Sequence, residues 1–146
     1  MRIISCHNYY QQAGGEDQVF SNEVSLLKQN GVEVIEYVRT NEELKKIPLL
    51  SAAANLYWNK QAYRQLLKLF RSQKPDIVHV HNFFPLISPA VFYAARDCKV
   101  PAVAGLNNQR FMCPGSSFTR DGNACLDCLG KFFALPGVFR GCYRSS

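Results

Sequence analysis

No apolar run in this chain of 146 residues approaches the roughly 20 needed to span a bilayer. The opening Met1-Arg2-Ile3-Ile4-Ser5 is too short in apolar residues for a signal peptide and reads as a first strand. These two absences make a cytoplasmic chain the expectation. Charged residues are few, 19% against 47% hydrophobic, which places the chain among ordinary globular proteins and excludes a disordered one. There is no internal repeat, low-complexity tract or long linker, and the length suits one domain with a real core. Neither a full G-x-G-x-x-G nor a Walker pattern is present. No tight Lys/Arg cluster appears, and the aromatics fall mainly on expected core stripes, which argues against nucleic acid.

The charge that is present is uneven. Residues 1–98 carry 11 basic and 9 acidic side chains, and residues 99–146 carry 6 and 2, for a net +6 overall. A basic tail of this kind reads first as a solvated face and second as an attraction for anionic partners, including the inner face of a membrane.

The informative stretch is P-D-I-V-H-V-H-N-F-F-P-L-I-S-P, Pro75 to Pro89. Pro75-Asp76 ends the preceding helical run. Ile77, Val78 and Val80 are β-branched on both faces, as a strand covered on two sides requires. His81-Asn82 is its polar end, and Ser88 is placed to cap a helix whose first residue is Pro89. Strand, polar loop and capped helix make one unit of a parallel sheet, whose ligands gather at the carboxyl ends of strands.

In chain order, Arg2 to Cys6 is the first strand and His7 to Gly15 a polar loop ending in two glycines. Glu16 and Asp17 open a helix carrying Val19, Phe20, Val24 and Leu27 at helical spacing, stopped at Asn30-Gly31. Val32 to Tyr37 is a second strand. Residues 38–58 show no clean period. Tyr63, Leu66, Leu67 and Phe70 form a core stripe on a helix from Asn59 to Ser72. Val91, Phe92 and Ala95 face inward after Pro89, and Ala102 to Leu106 is a fourth strand with Asn107-Asn108-Gln109-Arg110 at its end. The alternation predicts an α/β fold, a parallel sheet with helices on both faces. Its strand ends (His7 to Gly15, His81-Asn82 and Asn107 to Arg110) are expected to line one crevice. Gly14 and Gly15 let the backbone approach a ligand and suit a phosphate at a helix start, or else simply make the turn.

Four cysteines close the chain as C-x11-C-x2-C-x13-C, namely Cys113, Cys125, Cys128 and Cys142. The C-x2-C pair sets two thiolates on one turn, and two more can complete a structural zinc shell. Without an export signal, metal or free thiols are more plausible than disulfides. Cys6 and Cys98 stand apart and read as buried small residues. A cysteine-nucleophile hydrolase needs Cys, His and an orienting acid together, and the adjacency of Cys6 and His7 in sequence does not establish hydrogen-bond geometry.

Three segments, H-N-Y-Y-Q-x-x-G-G-E-D (His7 to Asp17), Pro75 to Pro89, and C-P-G-x-x-F-x-R-D-G (Cys113 to Gly122), resemble the amino-terminal half of family 4 glycosyltransferases. So do C-L-D-C-L-G-K and G-C-Y-R near the end. The resemblance covers nearly the whole chain in matching order. It implies a retaining, metal-independent, GT-B type enzyme in which residues 1–146 are a Rossmann-like acceptor-side domain and 107–146 a Cys-rich extension within it. Gly14, Gly15 and Glu16 would then approach the diphosphate of a nucleotide sugar, and His81 would line the acceptor side of the cleft with His7, Asn82, Asn108 and Arg110. Relatives carry L-H-N-Y-R where this chain reads L-N-N-Q-R, so Asn107 stands in place of a histidine beside the reacting sugar. Asparagine donates and accepts hydrogen bonds but takes no proton at pH 7.

The family's donor-binding domain lies outside these residues. The expectation is therefore the N-terminal half of a transferase from a nucleotide sugar to a polysaccharide or lipid-linked acceptor, inactive without that domain in cis or trans. The loop Phe83-Phe84-Pro85-Leu86-Ile87 and the basic surface would suit a membrane-borne acceptor. The alternative is a non-catalytic, zinc-braced module that binds a protein or polyanion.

Overall fold

The computed structural model describes residues 1–11, 14–107, 109–110, 112–131 and 134–142. The chain divides into two compact units, Met1–Gly105 and Leu106–Ser146, and each is taken by itself.

The first unit is a four-stranded parallel sheet in the order β2-β1-β3-β4, formed by β1 (Arg2–Tyr9), β2 (Glu33–Thr40), β3 (Ile77–Val80) and β4 (Ala102–Ala104). Central β1 pairs with β2 along its whole length, from Arg2 opposite Glu33 to Tyr9 opposite Thr40. The first strand thus runs three residues past Cys6, and His7 and Asn8 lie in it, fully buried, rather than in a loop. The second strand likewise runs on past Tyr37, and the fourth stops two residues short of Leu106, with all three of its residues exposed at the sheet edge.

Alternation along the strands sorts side chains onto two faces. On one face, Ile4, Cys6, Val78 and Val80 pack with Ala62, Leu66 and Phe70 of α3 (Lys60–Gln73) and with Val91, Ala94 and Ala95 of α4 (Ala90–Asp97). Each large apolar side chain buried there contributes about 1.5–3 kcal/mol. On the other face lies α1 (Gly15–Gln29), which turns Phe20 and Val24 inward while Val19, expected in the core, is 44% exposed. Asn30 and Gly31 end α1, and Gly31 takes a φ of +75° that glycine adopts without strain. Helices therefore cover both faces of a Rossmann-like α/β sheet.

The irregular stretch 38–58 resolves into the end of β2, a 3-10 turn at Asn41–Lys46 capped by Thr40, and α2 (Leu49–Tyr57). Asn59 caps α3, accepting from the N–H groups of Gln61 and Ala62 at 3.0 Å, and its amide donates to the Leu86 carbonyl at 2.6 Å. α4 starts at Ala90, one residue later than expected. Ser88 still serves it, since its hydroxyl accepts from the Ala90 N–H at 3.3 Å and from the Asn59 N–H at 3.0 Å. Cys6 is buried as expected, but Cys98 is only half-buried.

The second unit has little regular structure. β5 (Thr119–Arg120) and β6 (Asn123–Ala124) form a hairpin around Asp121-Gly122, whose φ values of 51° and 76° suit a two-residue primed turn. A short α5 (Leu135–Phe139) follows.

Candidate functional site

The carboxyl ends of β1 and β3 meet the start of α1 in a cluster of polar and aromatic side chains. The His7 imidazole Nε2 donates to the Asp17 carboxylate at 2.7 Å. The other oxygen of Asp17 accepts from the Gly14 N–H at 3.1 Å, so one buried carboxylate both caps α1 and holds His7. Phe20 stacks on His7 with ring centroids 4.6 Å apart and meets His81 edge-on at 5.1 Å. Strand alternation sets His79 and His81 on one face, their centroids 4.2 Å apart. His79 Nδ1 lies 2.7 Å from one oxygen of Glu23 on α1, and His81 Nε2 lies 3.8 Å from the other, beyond a hydrogen bond.

His81 is the unusual member. Its side chain is 1% exposed, and neither ring nitrogen has a hydrogen-bond partner. Burial, and then the neighbouring His79 and His7, push its pKa down to about 4, so the ring is neutral at pH 7. His81 thus lies beneath the strand ends with its side chain almost wholly buried, and His7 is fully buried beside it.

Asn82 is a brace. Its amide donates to the Asn8 carbonyl at 2.8 Å, its oxygen accepts from the Phe84 N–H at 3.2 Å, and the Asn8 N–H donates to its carbonyl at 2.8 Å. Asn8 in turn donates to the Asn41 side chain at 2.7 Å and accepts from the Leu86 N–H at 3.3 Å. These bonds explain how such polar residues end a central strand under cover. They also pull the loop after β3 inward. Phe83 is 8% exposed and Leu86 and Ile87 not at all, so of this loop's apolar side chains only Phe84 and Pro85 are partly exposed.

At the start of α1, Gly14 and Gly15 are exposed. Gly14 has an extended backbone (φ −123°, ψ 178°), neither glycine has a positive φ, and a methyl group on either would meet no protein atom. The turn therefore does not require them. Glu16 accepts from the Tyr10 hydroxyl at 2.8 Å. Its carboxylate sets negative charge beside this helix start, which disfavours the expected role of Glu16 itself as a diphosphate ligand.

Asn107 and Arg110 are exposed and belong to the second unit, and Asn108 lies outside the described residues. The first unit thus brings together two of the three expected strand ends. Sequence reading missed Asp17 as the partner of His7, and missed Glu23 and His79 altogether. The signal was available: H-V-H in a strand places both histidines on one face, and Glu23 lies three residues beyond Phe20 on the inward side of α1.

The sequence profile of Glycosyltransferase Family 4 matches residues 3–120. The chain belongs to glycosyltransferase family 4. No curated protein and no solved structure matches it. Membership brings a glycosyltransferase type of function, with a sugar donor and an acceptor as substrates, and it agrees with the sheet and helices of the first unit. Among the described residues, no helix is long and apolar enough to cross a membrane.

Proposed function

We propose that this chain is the acceptor-side domain of a transferase that moves a sugar from a nucleotide sugar to a polysaccharide or lipid-linked acceptor. The observation that carries the reading is the exposed Gly14-Gly15 pair. Neither backbone strain nor internal packing requires glycine at either position. What the pair provides is bare backbone at the positive end of a 15-residue helix, where a diphosphate can approach the N–H groups closely. The Gly14 N–H is already committed to Asp17, so the contact falls to the amides that follow it. Asp17, His7, Phe20 and His81 hold that turn in place from beneath. Asn107 and Arg110, exposed in the second unit, are assigned to the acceptor as a neutral hydrogen-bonding group and a cation.

Transfer requires a donor-binding domain in cis or in trans, because half a cleft neither encloses a nucleotide sugar nor excludes water from it. Diphosphate contact by this domain is tested separately by titrating UDP or GDP into isotopically labelled protein. The Gly15 and Glu16 amides are expected to shift, and Gly15→Val is expected to weaken the response at least tenfold with stability unchanged. Nucleoside diphosphates that leave these amides unmoved at millimolar concentration would refute the assignment.

A further inference from the structure

The second unit poses a problem of stability. It has 41 residues, Leu106–Ser146, near the size below which a chain rarely folds on apolar burial alone. Among its described residues only Ala134 and Gly137 are buried. Leu106, Met112, Leu126, Leu129, Leu135, Val138 and Phe139 are between 46% and 85% exposed. Among the described residues, then, large apolar side chains form no buried core in this unit.

What lies at its centre is sulfur. Cys113, Cys125, Cys128 and Cys142 come from four separate places in the sequence, yet all four line one cavity of about 20 Å³, room for a single atom-sized occupant. None is in a disulfide. The turns that carry them are built by backbone bonds: Ser116 N–H to the Cys113 carbonyl, Cys125 N–H to the Phe118 carbonyl, Lys131 N–H to the Cys128 carbonyl, and Cys142 N–H to the Gly137 carbonyl, at 2.8 to 3.2 Å. Gly137 donates its N–H to the Cys128 sulfur at 3.2 Å. A side chain at Gly137 would stand 2.8 Å from Pro114 and 3.1 Å from that same sulfur, so glycine is required at this wall. Asp127, between Cys125 and Cys128, holds the guanidinium groups of both Arg120 and Arg140 beside the cavity.

We infer that these four cysteines bind one zinc ion, which is the structural core of the second unit. Zinc takes four thiolates in a tetrahedron with Zn–S distances of about 2.3 Å, and a C-x2-C turn supplies two of them. Binding releases four thiol protons and leaves a complex of net charge −2, which the neighbouring Arg120 and Arg140 offset. No three of the four sulfurs stand within 4.8 Å of one another, whereas sulfurs about a bound zinc are about 3.8 Å apart. Glu23, His79 and His81 of the first unit do lie within 4.8 Å of one another, and they serve as the control site.

The test is metal analysis of the full chain, purified in reducing buffer without chelator. About one zinc per chain is expected, released in step with mercurial titration of thiols. Cobalt in its place is expected to show thiolate-to-metal charge transfer and the visible bands of a tetrahedral site. Cys125→Ser and Cys128→Ser are expected to lower zinc to under a tenth per chain, whereas Cys98→Ser, Glu23→Gln and His79→Asn retain it. The inference is overturned if folded protein carries no zinc with all four thiols open to titration, if mass analysis finds these cysteines paired as disulfides, or if zinc leaves with His79→Asn and stays with Cys125→Ser. Mercurial release from the unaltered protein decides the matter even where a serine variant does not fold.

Discussion

Replacing His81 by phenylalanine separates the cost of a buried imidazole from the benefit of its shape. In the folded protein His81 gives up a proton at about pH 4, against an ordinary value of 6.5. The unfolded chain therefore binds a proton at this position below pH 6.5 while the folded chain resists until about pH 4. Between those limits the unfolded state carries more protons, so stability falls as the pH is lowered through the window and levels off beneath it. Each tenfold change in proton affinity is about 1.4 kcal/mol, which sets an upper limit near 3 kcal/mol. The Glu23 carboxylate, 3.8 Å from Nε2, returns part of that to the charged ring, so the expected loss is about 2 kcal/mol.

Phenylalanine removes the titration and two unpartnered nitrogens while keeping a flat ring against Phe20. Stability at pH 7.5 is expected to stay within about 1 kcal/mol of the parent, the gain from losing unsatisfied polar atoms offsetting the altered fit. Urea unfolding of both proteins at pH 7.5, 6.5, 5.5 and 4.5 measures the difference. Groups that do not interact with His81 contribute equally to both proteins and cancel. The parent should lose about 2 kcal/mol more than His81→Phe between the extremes. Curves that run parallel across the whole range would refute the account of His81 as a buried neutral ring. A parent that gains on the variant as the pH falls would reverse it, showing that Glu23 holds a charged imidazole.

Two further substitutions test the frame around the site. Asp17→Ala strips the cap from Gly14 and leaves the buried His7 N–H without its acceptor, so stability should fall by about 2–4 kcal/mol, while Asp17→Asn, which keeps an acceptor oxygen, should recover most of it in urea unfolding. Asn59→Ala removes the cap of α3 and the bond to the Leu86 carbonyl; the expected cost is about 2–3 kcal/mol by thermal or urea unfolding, and Asn59→Asp, which faces a carboxylate to that carbonyl, should regain at most half.

The fold was legible where the residue type and the burial agreed. Pro75-Asp76 stopped a helix, Ile77 to Val80 made a strand, and the stripe of Leu66 and Phe70 lay inward as its period required. The sequence misled where polar residues were buried by partners far along the chain. His7 and Asn8 look like the start of a loop, and become the end of a central strand because Asp17, Asn41 and Asn82 satisfy them. No local pattern announces bonds across ten, thirty-three and seventy-four residues. The burial of Phe83, Leu86 and Ile87 was hidden for the complementary reason: apolar residues in a Pro-rich loop look exposed until Asn8 and Asn59 anchor the backbone at Leu86.

The same contrast separates the two units. In the first, the polar cluster beneath Gly14-Gly15 stands apart from the continuous apolar core on the opposite face of the sheet. His7, His81 and Asp17 are buried, with His79 and Glu23 half-buried beside them, and such a set is costly to assemble. It lies beneath the helix start, at the carboxyl edge of the sheet. In the second unit, among the described residues, large apolar side chains are exposed while four half-buried cysteines line one cavity. The sequence spacing named those cysteines, but only their convergence on one cavity makes the structural role the stronger reading. A cysteine in this unit should accordingly matter for stability before it matters for turnover, whereas Asp17 under the Gly14-Gly15 turn should matter for both.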